Sequence, residues 1–137
     1  MRYLGVDFGE RHIGIAIADD DGRLAVPVDV VTRSSDAQAI DAVLAIAGRE
    51  GAEAIVVGEP LRLDGSAGDA AQRARGFAAK LGAATPLPIV LHDEALTSHE
   101  AASRLREAGT TRRRRRDAVH SVAAQILLQD WLDRRRN

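Results

Sequence analysis

Asp7 interrupts an apolar run. The stretch "YLGVDFGERHIGIAIAD" places this acid inside the first of two hydrophobic segments that flank a short polar turn. Asp is depleted in strands and costly to bury without a partner, so its place points to chemistry. Other acids stand where apolar runs end or helical patterns begin. Asp93 and Glu94 close "PLPIVLHDE", Glu59 closes "AEAIVVGE", and Asp117 opens the last helical pattern. In sheets with parallel segments, ligands favour the carboxyl ends of strands. Carboxylates crowded there repel one another unless a cation joins them. The chain has no cysteine, so the donors are hard oxygens, which suit Mg²⁺ or Mn²⁺.

The elements that must position these acids follow from periodicity. Residues 2–8 and 12–18 read as strands joined by a tight turn, and Ala25–Val31 reads as a third, reached through "DDDG". Short connections make these three an antiparallel meander. Ala39, Ile40, Val43, Leu44 and Ala47 then recur at helical spacing, with Ser35 or Asp36 as the start signal and Gly51 as the stop. "AEAIVVGEP" is a continuous apolar run, as in a strand buried on both faces. A polar loop with "GSAG" leads to an alanine-rich helix over Asp69–Leu81, and "PLPIVLHDE" is the fifth strand. A helix is expected over Ser98–Ala108, then a loop of arginines, then a helix over Asp117–Arg134. Its apolar stripe is Val119, Val122, Ala123, Ile126, Leu127 and Trp131. The order β-β-β-α-β-α-β-α-α predicts an α/β fold with one five-stranded mixed sheet flanked by helices.

Strand alternation puts Tyr3, Gly5, Asp7 and Gly9 on one face, with Gly14, Ala16 and Ala18 forming a small face in the next strand. This face, stripped of bulk around Asp7, is expected to admit a large group of another molecule. The alternative is that small residues let a helix pack close.

Composition narrows the function classes. A chain of 137 residues is expected to form one domain, residues 1–137. No window approaches a membrane span, and the N-terminus lacks the apolar core of a signal peptide. These features and the missing cysteines fit a cytoplasmic protein. Net charge is −1, yet Arg112 to Arg116 and Arg134 to Arg136 are unbroken basic runs. Contact with nucleic acid would therefore be a patch. Aromatic residues are few (Tyr3, Phe8, Phe77 and Trp131), which argues against a base-stacking platform.

Four blocks, "LGVDFGERHIGIAIAD", "IVVGEPLRLDGSAGDAAQRARGFAAKL", "LHDEALTS" and "RDAVHSVAAQILLQDWL", resemble those of the YqgF/RuvX family, in that family's order and over essentially the whole chain. The resemblance implies an RNase H-like fold related to RuvC resolvases and a metal-dependent nuclease. Its implied substrates are structured RNA, in 5′-end maturation of pre-16S rRNA, or branched DNA. It implies catalytic acids at Asp7, Asp93, Glu94 and Asp117, with Asp7, Asp93 and Asp117 on the metal. Glu59 and His120 are further candidate ligands, His120 standing one helical turn after the final acid; the alternatives are an exposed strand-end charge for Glu59 and a proton relay or a partly exposed helix histidine for His120. The family's usual Arg after "DE" is Ala95 here. Two metals would activate water and steady the leaving oxygen. Arg11 and His12 in the first turn, with Arg112, Arg113, Arg114, Arg115 and Arg116, are expected to contact the nucleic-acid backbone. "GSAG" is read as an ordinary loop, although its N–H groups suit a phosphate.

Two rival readings remain. The "DFG" hairpin also resembles that of actin-like ATPases, which need two such domains, more than this chain supplies. A non-catalytic nucleic-acid-binding module is the stronger rival. Oligomeric state, monomer or homodimer, is left open.

Overall fold

The computed structural model describes residues 1–19, 24–60, 64, 66–93 and 112–136, with side chains from 119 to 135 in the last stretch. The expected Ser98–Ala108 helix and Glu94 lie outside the described residues.

Five strands form one sheet: β1 (Tyr3–Asp7), β2 (His12–Ala18), β3 (Ala25–Thr32), β4 (Ala54–Glu59) and β5 (Ile89–Asp93). Their spatial order is β3-β2-β1-β4-β5. The meander β1–β2–β3 is antiparallel, whereas β1–β4 and β4–β5 are parallel. Both crossovers run through helices, α1 (Asp36–Glu50) and α2 (Asp69–Ala83), and a long helix, α3 (Arg112–Arg136), closes the described chain. β1 and β4 are buried along their whole length because helices cover both sides of the sheet.

Local signals explain the helix ends. The Ser35 side chain accepts a hydrogen bond from the Gln38 N–H, leaving Asp36 to pair with Arg33 and Lys80. Gly51 ends α1 at φ 69°, a left-handed conformation that glycine adopts without a Cβ penalty.

The sheet separates two apolar layers. On one face Leu4, Val6, Ile13, Ile15, Ile17 and Val57 pack against α1 and α2, with Phe77 fully buried among them. On the other, Tyr3, Ala16, Ala18 and Val56 meet Ala124, Leu127, Leu128 and Leu132 of α3. The small-residue face is therefore not open to another molecule. Most of it is the seat of α3: a Cβ on Gly5 would lie 2.8 Å from Leu128 Cβ, and one on Gly14 would lie 1.8 Å from the His120 carbonyl oxygen. Gln129 accepts from the Ala25 N–H while Gln125 donates to the Ala25 carbonyl, which ties α3 to the start of β3.

A second expectation is also corrected. The arginine run is not a loop: α3 begins at Arg112, so Arg112 to Arg116 form its first turn and Asp117 lies inside the helix. An α-helical backbone satisfies itself whatever the sequence once tertiary packing holds the rest. The apolar periodicity used to place the start marks only the packed part.

Candidate active site

Asp7 ends β1, pairs with Gly14 of β2 and is only 6% exposed. Alternation puts it on the α3 face, in line with Tyr3 and Gly5. On its other side β4 carries Gly58, one step beyond the Val6–Val57 pair. Its neighbours across both flanking strands are thus glycines, on the face that α3 covers.

α3 runs antiparallel to β1. Its His120 carbonyl lies over Gly14, Leu128 over Gly5, and Trp131 packs edge-on against Tyr3 at 5.0 Å between ring centroids. Positions 117, 120, 124 and 128 are three or four residues apart and so share one side of a helix. This side faces the sheet. Position 117 therefore stands one turn past His120, toward the carboxyl end of β1 where Asp7 lies.

The His120 ring stacks on His12 from the first turn, with centroids 5.0 Å apart and planes inclined by 19°. Burial pushes the His120 pKa below the ordinary histidine value of 6.5, and the neighbouring His12 adds to the effect. A neutral imidazole can bind metal or take a proton. His12 and Arg11 are exposed at the same end of the sheet.

Two acids diverge from this group. Glu59 follows Val57 by two residues, so it faces α2, and its carboxylate pairs with the Arg75 guanidinium. Glu59 is buried rather than an exposed strand-end charge. Asp93 is its register partner on β5 and shares that side. The strand pleat thus places Glu59 and Asp93 on the side of the sheet opposite Asp7. Among the described residues, no three acids or histidines lie close enough to hold a metal ion.

The RuvX family profile, described as "Holliday junction resolvase", matches residues 1–134. The chain belongs to the RuvX family. A RuvX relative from Anaeromyxobacter sp. (strain K), named "Putative pre-16S rRNA nuclease", is 46% identical, with 98% of each chain covered. Another of that name, from Acidiphilium cryptum, is 42% identical over 96% of this chain and 84% of its own. Among solved structures, the RuvX chain is similar to T. thermophilus RuvC in complex with a Holliday junction substrate, with TM-score 0.62, 18% identity and coverage of 100% and 97%. Fowlpox virus resolvase in complex with Holliday junction DNA matches with TM-score 0.62, 9% identity and full coverage of both chains. At such identities the likeness shows the fold, which is RNase H-like.

The sequence reading of this RuvX chain missed three contacts at the site's borders. Arg75, the partner of Glu59, was one basic residue in a helix with several and carried no distinguishing signal. His92 bonds Asp130 of α3 at 2.7 Å, a pairing of residues 38 apart that no local pattern announces. The close approach of the His120 main chain to Gly14 did have a signal, the glycine of "HIGIAIAD" on Asp7's face.

Proposed function

We propose that this protein is a divalent-metal-dependent nuclease that hydrolyses phosphodiester bonds of structured RNA in 5′-end processing of pre-16S rRNA. The family and its curated relatives support a nuclease. The observation carrying the site is the buried Asp7 carboxylate at the end of β1, with the acid-bearing turn of α3 beside it. Acids at strand ends with no cysteine in the chain offer hard oxygen donors, which fit Mg²⁺ or Mn²⁺.

In this reading Asp7 and Asp117 hold the metal. Asp93 lies on the other side of the sheet, so Glu94 is taken as the contribution from the "DE" pair. Glu59, paired with Arg75, leaves the ligand set. A bound metal would activate water and stabilise the leaving oxygen. Neutral His120 would take up a proton or serve as a further ligand. Arg11, His12 and the arginines of α3 hold the phosphate backbone and set its register. The protein acts in the cytoplasm, as its relatives' role in rRNA processing suggests. Among the described residues, no helix is long and apolar enough to cross a membrane.

The similarity to RuvC over the full chain favours branched DNA as the second reading. Purified protein with Mn²⁺ should be tested in parallel on a pre-16S leader RNA, a four-way junction and plain duplex. Cleavage of the leader RNA is expected, abolished by chelation and in Asp7→Asn. Cleavage of the junction alone would favour the second reading. Tight binding without metal-dependent cleavage of any substrate would make the protein a binding module.

A further inference from the structure

Among the described glycines, Gly14 makes the closest approach to α3. An added Cβ there would lie 1.8 Å from the His120 carbonyl oxygen, 2.1 Å from its carbon and 2.8 Å from the Ser121 nitrogen. All three are main-chain atoms, so no rotamer change relieves the clash. Only a shift of the helix or the strand can. Gly14 is also the register partner of Asp7, and His120 is one turn from position 117. The same contact therefore joins the two chain segments that carry the proposed metal ligands. The stacked His12 and His120 rings fasten the first turn to the helix beside it.

We propose that Gly14 is a positioning residue: its missing side chain lets the His120 turn seat on β2 and so sets the spacing between Asp7 and Asp117. This rests on the reading of Asp7 and Asp117 as metal ligands. Gly5 provides the contrast. It lies on the same face under the same helix, where a Cβ would meet Leu128 Cβ at 2.8 Å and the Ala124 oxygen at 3.1 Å. That contact is two residues down the strand from Asp7 and two turns down the helix from His120. A metal site tolerates displacements of only a few tenths of an ångström before affinity falls. Lifting the helix at Gly14 acts on the ligands directly, whereas lifting it at Gly5 acts on packing.

The test compares Gly14→Ala and Gly5→Ala as full chains. Metal-free melting, the rise in Tm on adding Mn²⁺, and kcat on the cleaved substrate are measured for each. Both variants are expected to melt below wild type without metal. Gly14→Ala should lose the Mn²⁺-induced rise and drop kcat by about tenfold or more, roughly 1.4 kcal/mol on the barrier. Gly5→Ala should keep both. If Gly14→Ala does not fold, Ser121→Val, which changes the buried side chain of the residue whose nitrogen lies at the same contact, is read in the same way. A Mn²⁺ response in Gly14→Ala or its substitute equal to that of Gly5→Ala overturns the positioning role alone. A wild type that Mn²⁺ neither stabilises nor activates overturns the metal reading and this inference together.

Discussion

At the scale of single residues, Asp7 combines burial, a strand-end position and glycine neighbours. Asn keeps its shape and removes its charge. Asp7→Asn should therefore lose activity by about a hundredfold or more, as removal of several kcal/mol of metal-derived stabilisation implies, while it still folds and melts cooperatively without metal. Parallel melting curves and initial rates check this; full activity would exclude a ligand role. Asp117 separates differently. Its place inside α3 rules out a capping role, so the loss of about 1 kcal/mol that removes an N-cap is not expected. Asp117→Ser and Asp117→Ala should melt alike, within the few tenths of a kcal/mol that distinguish their helix propensities, and lose activity alike. A Ser variant that alone retained activity would count against a ligand role. His120 has its own signature. Its folded pKa lies below the ordinary value of 6.5 because it is buried beside His12. Above that value the ring is neutral folded or unfolded and contributes nothing to pH dependence. As pH falls through it, the unfolded chain takes up the proton more readily, so stability declines. In EDTA, wild type should lose stability below about pH 6.5, and His120→Gln should flatten that part of the profile.

At the scale of elements, the order of strands and helices was legible because each carries a period and punctuation. Continuous apolar runs marked β4, and Ser35 and Gly51 bracket α1 in sequence as they do in structure. The orientation of α3 was less so. Its expected stripe contained Leu127 and Trp131 but not Ala124, Leu128 and Leu132, which are buried against the sheet. Val119, Val122, Ala123 and Ile126 form a separate apolar cluster. Such a helix is apolar over most of its circumference, so its own periodicity does not say which side meets the sheet. The glycines and alanines of β1 and β2 do, since only small residues admit a helix so closely. The facing of the acids was hidden for a related reason. "End of a strand" gives height along the sheet, whereas the face depends on register, and register turns Asp93 and Glu59 toward α2. The packing reading makes Leu128→Ala a sharp test. Leu128 is fully buried over Gly5, and its truncation should cost about 2–5 kcal/mol, read by denaturant unfolding without metal.

At the scale of the whole molecule, charge and shape converge on one end. The outer edge of β3 is guarded: a bulge leaves Val28 unpaired between Pro27 and Asp29, and prolines, bulges and charges all discourage pairing with a further strand. The opposite pole of α3 is tied down by Arg135, which bonds the Tyr3 hydroxyl and lies 4.6 Å over the Trp131 ring. What remains for a polyanion is the carboxyl end of the sheet, with exposed Arg11 and His12 and the first turn of α3. Five arginines there oppose the helix dipole, which favours anions at an N-terminus, so bound phosphate would relieve both that conflict and their mutual repulsion. Consecutive helix positions are about 100° apart, so five of them ring the helix and cannot all meet one backbone. Positions 113 and 114 precede Asp117 by four and three residues and share its side, whereas 112 and 115 lie toward the other. Replacing Arg113 and Arg114 with Gln should therefore lower the slope of log affinity against log salt by about 0.7–0.9 per residue. The same change at Arg112 and Arg115 should lower it less. Binding measured across a salt series in EDTA isolates this electrostatic contribution from catalysis. Equal slopes in the two double variants would mean the nucleic acid surrounds the helix end, and unchanged slopes in both would mean that it does not touch α3 there.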